Sequence, residues 1–176
     1  MDIHQIQVKY EIVPDRLLMQ VRTRQGELFS AWLTRRMVQR LRSPFRQAVS
    51  RLGIARAAPQ SIAVPEARAM LEQAARERPL PNADFGKPFE ADGSSHPLGP
   101  EPLLPAEIDI RVGPQGGLLV SLREARGRRL DLRLGDDLAT ALLRLLDQAL
   151  ISAEWTLAEE SSTAEPQPPG TPTVLN

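Results

Sequence analysis

Apolar and polar residues alternate along two separated stretches of this chain, and each alternation gives way to a helical period. In the first stretch Ile6, Val8, Tyr10 and Ile12 alternate with Gln7, Lys9 and Glu11, the period of a half-buried strand. Val13-Pro14-Asp15 supplies turn chemistry, because Pro14 fixes φ and offers no donor. Leu17, Met19 and Val21 then share one face of a second strand, with Leu18, Gln20 and Arg22 on the other. A turn at Gln25-Gly26 returns the chain through residues 28–33. Thr34 can accept from the free amides of a first helical turn, which predicts a helix from Arg35. Its stripe of Met37, Val38, Leu41, Phe45, Ala48, Val49 and Leu52 runs to Gly53, a suitable stop. Pro44 predicts a kink, or two helices meeting there.

The pattern returns near the other end. Ile108, Ile110 and Val112 alternate, residues 113–117 turn, and Leu118, Val120 and Leu122 alternate again. A turn at Arg126-Gly127 leads to Leu130, Leu132 and Leu134, and Gly135-Asp136-Asp137 opens a helix with Leu138, Leu142, Leu145 and Leu146 on one stripe. An offset of 101 lays Leu17 on Leu118, Val21 on Leu122, Gly26 on Gly127, Leu33 on Leu134 and Met37 on Leu138. The predicted class is α+β, as two pseudo-repeated β-β-β-α units over residues 1–53 and 106–157. Their antiparallel sheets are covered by helices, and a long Pro/Gly-rich linker joins them. One three-stranded meander with one helix makes a small core, so the units are expected to share one. The six strands would form either one continuous sheet or two packed sheets.

Residues 54–105 read as that linker, with a short helix near 65–78. From Pro79 to Pro105 the prolines and Asp92-Gly93-Ser94-Ser95 predict no packed structure. Residues 158–176 are acidic, then rich in Pro, Ser and Thr, and predict a disordered tail whose deletion leaves stability unchanged.

Composition narrows the chemistry. The chain has 176 residues and no cysteine, which removes disulfides, thiolate metal sites and a cysteine nucleophile. No basic segment followed by an apolar run opens the chain, and no stretch has the roughly 18 apolar residues of a membrane span. The expectation is a cytoplasmic protein with no membrane partner. His4 and His96 fall outside the predicted elements, and Asp136-Asp137 suits a helix start. Gly113 to Gly117 lies between strands, where hairpins use glycine, rather than in a phosphate loop. The expectation is therefore no enzyme, no catalytic residue, no metal ligand and no cofactor.

Charge is split between the halves. Residues 1–60 carry eleven basic and four acidic side chains, a net of +7, and the remainder balances it at −7. The basic half calls for an anionic partner from outside or for acids within the chain, and the internal pairing is preferred. Lys9, Gln20, Arg22, Arg24 and Trp32, with Arg35, Arg36 and Arg40 on the helix, form a candidate binding face. Charge that tracks a backbone and a ring that stacks on a base suit single-stranded nucleic acid. Arginines on a soluble surface, with Trp32 packed in the core, are the plainer explanation and the favoured one. Arg35 and Arg36 oppose the helix dipole and invite a carboxylate or phosphate.

The string DRLLMQVRTRQGELFSAWLTRRMVQRL, residues 15–41, resembles proteobacterial proteins with a D-R-L-L then W-L-T-R-R pattern in their N-terminal halves. That resemblance spans only this N-terminal region and implies no activity, ligand or catalytic residue. The duplicated pattern is also similar, in topology alone, to the Whirly and positive-cofactor-type folds that bind single-stranded DNA. The leading expectation is a non-enzymatic, self-associating protein-interaction or assembly module. Single-stranded nucleic-acid binding on the first unit's basic face comes second, and small-anion binding between the units third.

Overall fold

A computed structural model describes residues 1–57, 70, 71, 73, 74, 77–80, 87–113 and 116–155. The strands are β1 (Ile3–Glu11), β2 (Arg16–Thr23) and β3 (Leu28–Leu33), then β4 (Glu107–Val112), β5 (Leu118–Arg123) and β6 (Arg129–Leu134). Helix α1 (Arg35–Ala57) follows β3, and α2 (Asp136–Ala153) follows β6. The sheets are separate antiparallel meanders, β1-β2-β3 and β4-β5-β6, so the fold is α+β with a repeated β-β-β-α pattern.

The repeat extends to individual hydrogen bonds. Thr23 N–H donates to the Glu27 carbonyl (2.9 Å), and Gly26 N–H donates to the Thr23 carbonyl (3.1 Å). At an offset of 101, Glu124 N–H donates to the Arg128 carbonyl (2.9 Å) and Gly127 N–H to the Glu124 carbonyl (3.0 Å). Both turns need a left-handed residue, and Gly26 (φ 77°) and Gly127 (φ 93°) supply it without a Cβ clash. Leu17, Met19 and Val21 pair with Leu33, Ala31 and Phe29, as Leu118, Val120 and Leu122 pair with Leu134, Leu132 and Leu130. The first strands match at 102 instead, since Ile6 lies opposite Val21 but Ile108 lies opposite Leu122. A β4–β5 connection one residue shorter than the β1–β2 connection absorbs the difference, and Ile6, Val8 and Tyr10 keep Ile108, Ile110 and Val112 as counterparts.

One core joins the units. Leu17, Leu33 and Phe45 are buried in the same cluster as Leu118, Leu132 and Leu134. The helices cross over: α2 packs on β1, α1 packs on β4, and the helices touch each other. Neither unit closes its core alone, because each first strand is covered by the other unit's helix. Arg42 Nε donates to Asp147 Oδ1 (3.0 Å) across the helix pair.

Several expectations change. Helix α1 runs on through Gly53 to Ala57, because Ile54 is buried there and its burial outweighs the roughly 1 kcal/mol by which glycine disfavours a helix. Pro44 sits inside this single helix instead of dividing it. Ile12 lies past the end of β1 in the turn and is exposed. Of the short helix expected near 65–78, residues 70, 71, 73, 74 and 77 are helical, and most of the others lie outside the described residues, as does the tail from 156.

The largest change concerns residues 87–104, where turn-rich composition predicts no packing. Ser95 N–H donates to the Gly26 carbonyl (2.9 Å), and Leu28 N–H donates to the Ser95 carbonyl (2.8 Å). Leu103 N–H donates to Ser30 and Trp32 N–H to Leu103, both at 2.8 Å, and the Leu103 side chain is fully buried. Arg128 Nη1 donates to the Leu98 (3.1 Å) and Glu101 (3.0 Å) carbonyls. The segment is a strap that bridges to the outer edge of β3 and is pinned to the second unit's hairpin. Proline and glycine exclude a helix or a regular strand there, but they do not prevent local pairing with an edge.

Candidate functional site

Two surfaces concentrate charge in the first unit, and their side chains differ in how they are partnered. The outer face of the first sheet holds Gln7 and Lys9 of β1, Gln20 and Arg22 of β2, and Ser30 and Trp32 of β3, in adjoining register positions. Lys9 Nζ is 2.6 Å from Glu11 Oε1, and Arg24 Nε is 3.4 Å from Asp2 Oδ2. Gln20 Nε2 reaches Ser30 Oγ at 3.5 Å. Arg22 Nη1 donates to Glu90 Oε2 at 2.8 Å, and its side chain is 19% exposed. Gln5 also holds the strap on this face, donating to the Pro88 carbonyl (3.2 Å) and accepting from Glu90 N–H (3.2 Å). The Arg22 guanidinium holds the Glu90 carboxyl below its ordinary pKa. Trp32 is half-buried on this face and outside the central cluster, contrary to the expected core placement, because its register partner is Leu18 and not an inward-facing residue.

The second surface lies where α1 stands against β4. Met37, Leu41 and Pro44 recur at the spacing of one helix stripe, with Arg36 and Arg40 on the neighbouring one. Opposite them, Ile108 and Ile110 project from β4. Together they line an open groove of about 560 Å³. Met37, Leu41, Ile108 and Ile110 are half-buried, whereas Arg36, Arg40 and Pro44 are exposed. Thr34 begins the helix at the groove's end, its Oγ1 accepting from Met37 N–H (3.3 Å). Pro44 has no N–H for the Arg40 carbonyl, so one helical rung is missing beside the groove.

The acidic half does meet part of the basic half. Asp147 takes Arg42 and lies 3.9 Å from Arg46, whereas Asp136 (2.9 Å) and Asp137 (2.6 Å) pair within their own half, with Arg78. Arg35 lies near Asp15 and helps to hold that carboxyl below its ordinary pKa, after hydrogen bonds from Trp155 and Tyr10. Arg36 and Arg40 form no ion pair with any described residue.

Of the candidate residues, Arg36 and Arg40 come together on the groove, and Lys9, Gln20, Arg22 and Trp32 come together on the outer sheet face. Arg24 lies at the turn, and Arg35 faces the Asp15 corner. The sequence does not single out the groove's apolar side chains, because Met37, Leu41, Ile108 and Ile110 carry the same periodic signal as core residues. Pro44, an apolar residue placed to break a helix, was the available sign. Among the described residues no three of histidine, cysteine, aspartate or glutamate gather as a metal site, and no helix is long and apolar enough to cross a membrane. Comparison with protein-family models, curated proteins and solved structures finds no match to this chain.

Proposed function

We propose that the protein is a non-enzymatic interaction or assembly module whose contact surface is the groove between α1 and β4. The observation that carries this reading is an apolar groove flanked by Arg36 and Arg40, two guanidiniums that no described carboxylate meets. Such a lining suits a protein segment that offers aliphatic and acidic side chains together. The position of Arg36 in the first turn of α1 adds support. A cation there opposes the helix dipole, and a bound carboxylate relieves the conflict.

The alternative, single-stranded nucleic acid on the outer face of the first sheet, has less support. Its central cation, Arg22, is held by Glu90, and the strap occupies part of the same face. A peptide-display selection distinguishes the two. Peptides carrying both acidic and aliphatic residues are expected to bind the wild type and to lose the Arg36→Glu/Arg40→Glu variant. A low-salt oligonucleotide titration is expected to show little binding. A strand complex that weakens steeply with salt and loses about 1–3 kcal/mol on Trp32→Ala reverses the choice.

A further inference from the structure

We infer that two copies of this chain join edge to edge through β4, antiparallel about a two-fold axis at Ile110, with Asp109 of each copy facing Arg111 of the other. The inference rests on the reading of the α1–β4 face as the contact surface and names one occupant of its open side.

Strand β4 is the edge of its sheet, and no described strand pairs with its outer side. Of the three other edges, β6 is unsuited to pairing with itself. Its outward residues would set Asp131 opposite Asp131 and Arg129 opposite Arg133, like charge against like. The remaining two are blunted. Ser95 and Leu103 bridge to β3, and β1 has a register irregularity between Ile3 and Gln5. In contrast, β4 keeps an unbroken register from Glu107 to Val112 and contains neither proline nor lysine, the usual protections of an edge.

The hydrogen-bond pattern fixes which groups the edge offers. Gly113 N–H donates to the Gly117 carbonyl (3.0 Å), and the register then alternates along the strand. Asp109 and Arg111 therefore exchange bonds with β5, while Ile108, Ile110 and Val112 turn their N–H and C=O groups outward. A second β4 can use those groups only if outward residues oppose outward residues. With Ile110 opposite itself, Ile108 meets Val112 of the other copy, and roughly six backbone hydrogen bonds form. Asp109 and Arg111 then fall opposite one another in the non-hydrogen-bonded pairs, where side chains approach most closely. Within one chain Arg111 Nε already lies 2.6 Å from Asp109 Oδ2, so the dimer sets four charges of alternating sign around the two-fold axis. Val112, 58% exposed in the single chain, gains an apolar neighbour, and the two grooves share one continuous apolar floor.

The test is a charge swap on the full chain, followed by light scattering and sedimentation. The wild type is expected to be a dimer. Asp109→Arg places two arginines opposite each other and Arg111→Asp two aspartates, so each variant alone should dissociate at least about tenfold more readily. Mixed in equal amounts, they restore both opposite-charge pairs, and a heterodimer should form. Val112→Lys, at an exposed position that leaves the fold intact, should also weaken the dimer. A monomeric wild type, a dimer indifferent to these changes, or variants that stay apart when mixed overturns the inference. Peptide binding that depends on Arg36 and Arg40 would survive any of those outcomes, so the groove reading fails or stands separately.

Discussion

The two units place the same elements in the same order, yet the matching corners are finished differently. In the first unit, β1 is covered by α2, and Tyr10 packs edge-on against Trp155 with ring centroids 6.0 Å apart. Asp15 closes this corner by accepting from Tyr10 Oη and Trp155 Nε1, both at 2.9 Å. In the second unit the counterpart of Tyr10 is Val112, which is exposed, and α1 leaves a groove over β4. The helix starts differ in the same sense. Asp136 and Asp137 favour the dipole of α2, whereas Arg35 and Arg36 hold the equivalent positions of α1 and oppose it. A duplicated fold thus has one corner optimised for stability and one left apolar, cationic and open. The second is the corner proposed above as the contact surface.

The largest effects are expected at the closed corner and in the shared core. Trp155→Ala should destabilise the protein by about 3–5 kcal/mol, as large aromatic truncations do. Tyr10→Phe, which keeps the ring and loses only the hydroxyl donor, should cost about 1 kcal/mol in the same denaturant titration. Equal losses would mean that the hydrogen bond, and not the ring packing, closes the corner. Leu17→Ala and Leu118→Ala remove equivalent, fully buried side chains and should each cost about 2–5 kcal/mol. Because one cluster contains both leucines, fluorescence and circular dichroism should report a single transition in either variant. Two transitions, with one unit surviving the other, would break the comparison by showing independent units.

Much of this frame was legible in the sequence. Period-two alternation placed β1, β2, β4, β5 and β6, and the Gln25-Gly26 turn placed β3. The offset of 101 survives in the registers of the β2–β3 and β5–β6 hairpins and in their turn hydrogen bonds. Three features were not legible, each for a physical reason. Leu103 sits among prolines without periodicity, so local pattern could not reveal that it docks beside Ala31. The acids that hold the basic half, Glu90 and Asp147, look like ordinary solvent-facing residues until the fold brings them to Arg22 and Arg42. The groove was hidden because periodicity marks which side chains turn inward, not how closely the opposing element approaches.

A smaller effect sharpens the contrast between the two helix starts. Arg36→Glu exchanges an unfavourable charge for a favourable one in the first turn of α1, and should stabilise the fold by roughly 0.3–1 kcal/mol. The same substitution should weaken selected acidic peptides. Asp137→Arg, the mirror change in α2, should lower stability, since it also opposes Arg78. A variant at Arg36 that loses both stability and peptide binding would indicate a structural role for that side chain.

The smallest effect tests the strap's tie to the second unit. Arg128 Nε and Nη2 donate to Glu124 at 2.7 and 2.8 Å, and Leu104 N–H adds a third bond (3.3 Å). With Arg128 as the main cause, the Glu124 carboxyl is pulled from its ordinary 4.5 down to about 2. A folded pKa below the unfolded one means that the contribution is complete above the ordinary value and is lost as pH falls toward about 2. Glu124 is 11% and Arg128 30% exposed, and their contact lies at the surface where solvent still screens it in part, which keeps the effect small. Melting temperatures measured from neutral pH into acid should therefore place Glu124→Gln below the wild type at neutrality, with the difference closing as acid protonates the native carboxyl. Asp15, whose pKa is lowered chiefly by the Trp155 hydrogen bond, should give a second difference of the same sign at the closed corner. A Glu124→Gln difference that does not change with pH would mean that the carboxylate's charge does not hold the strap, leaving Leu103 and the backbone pairing with β3 to do so.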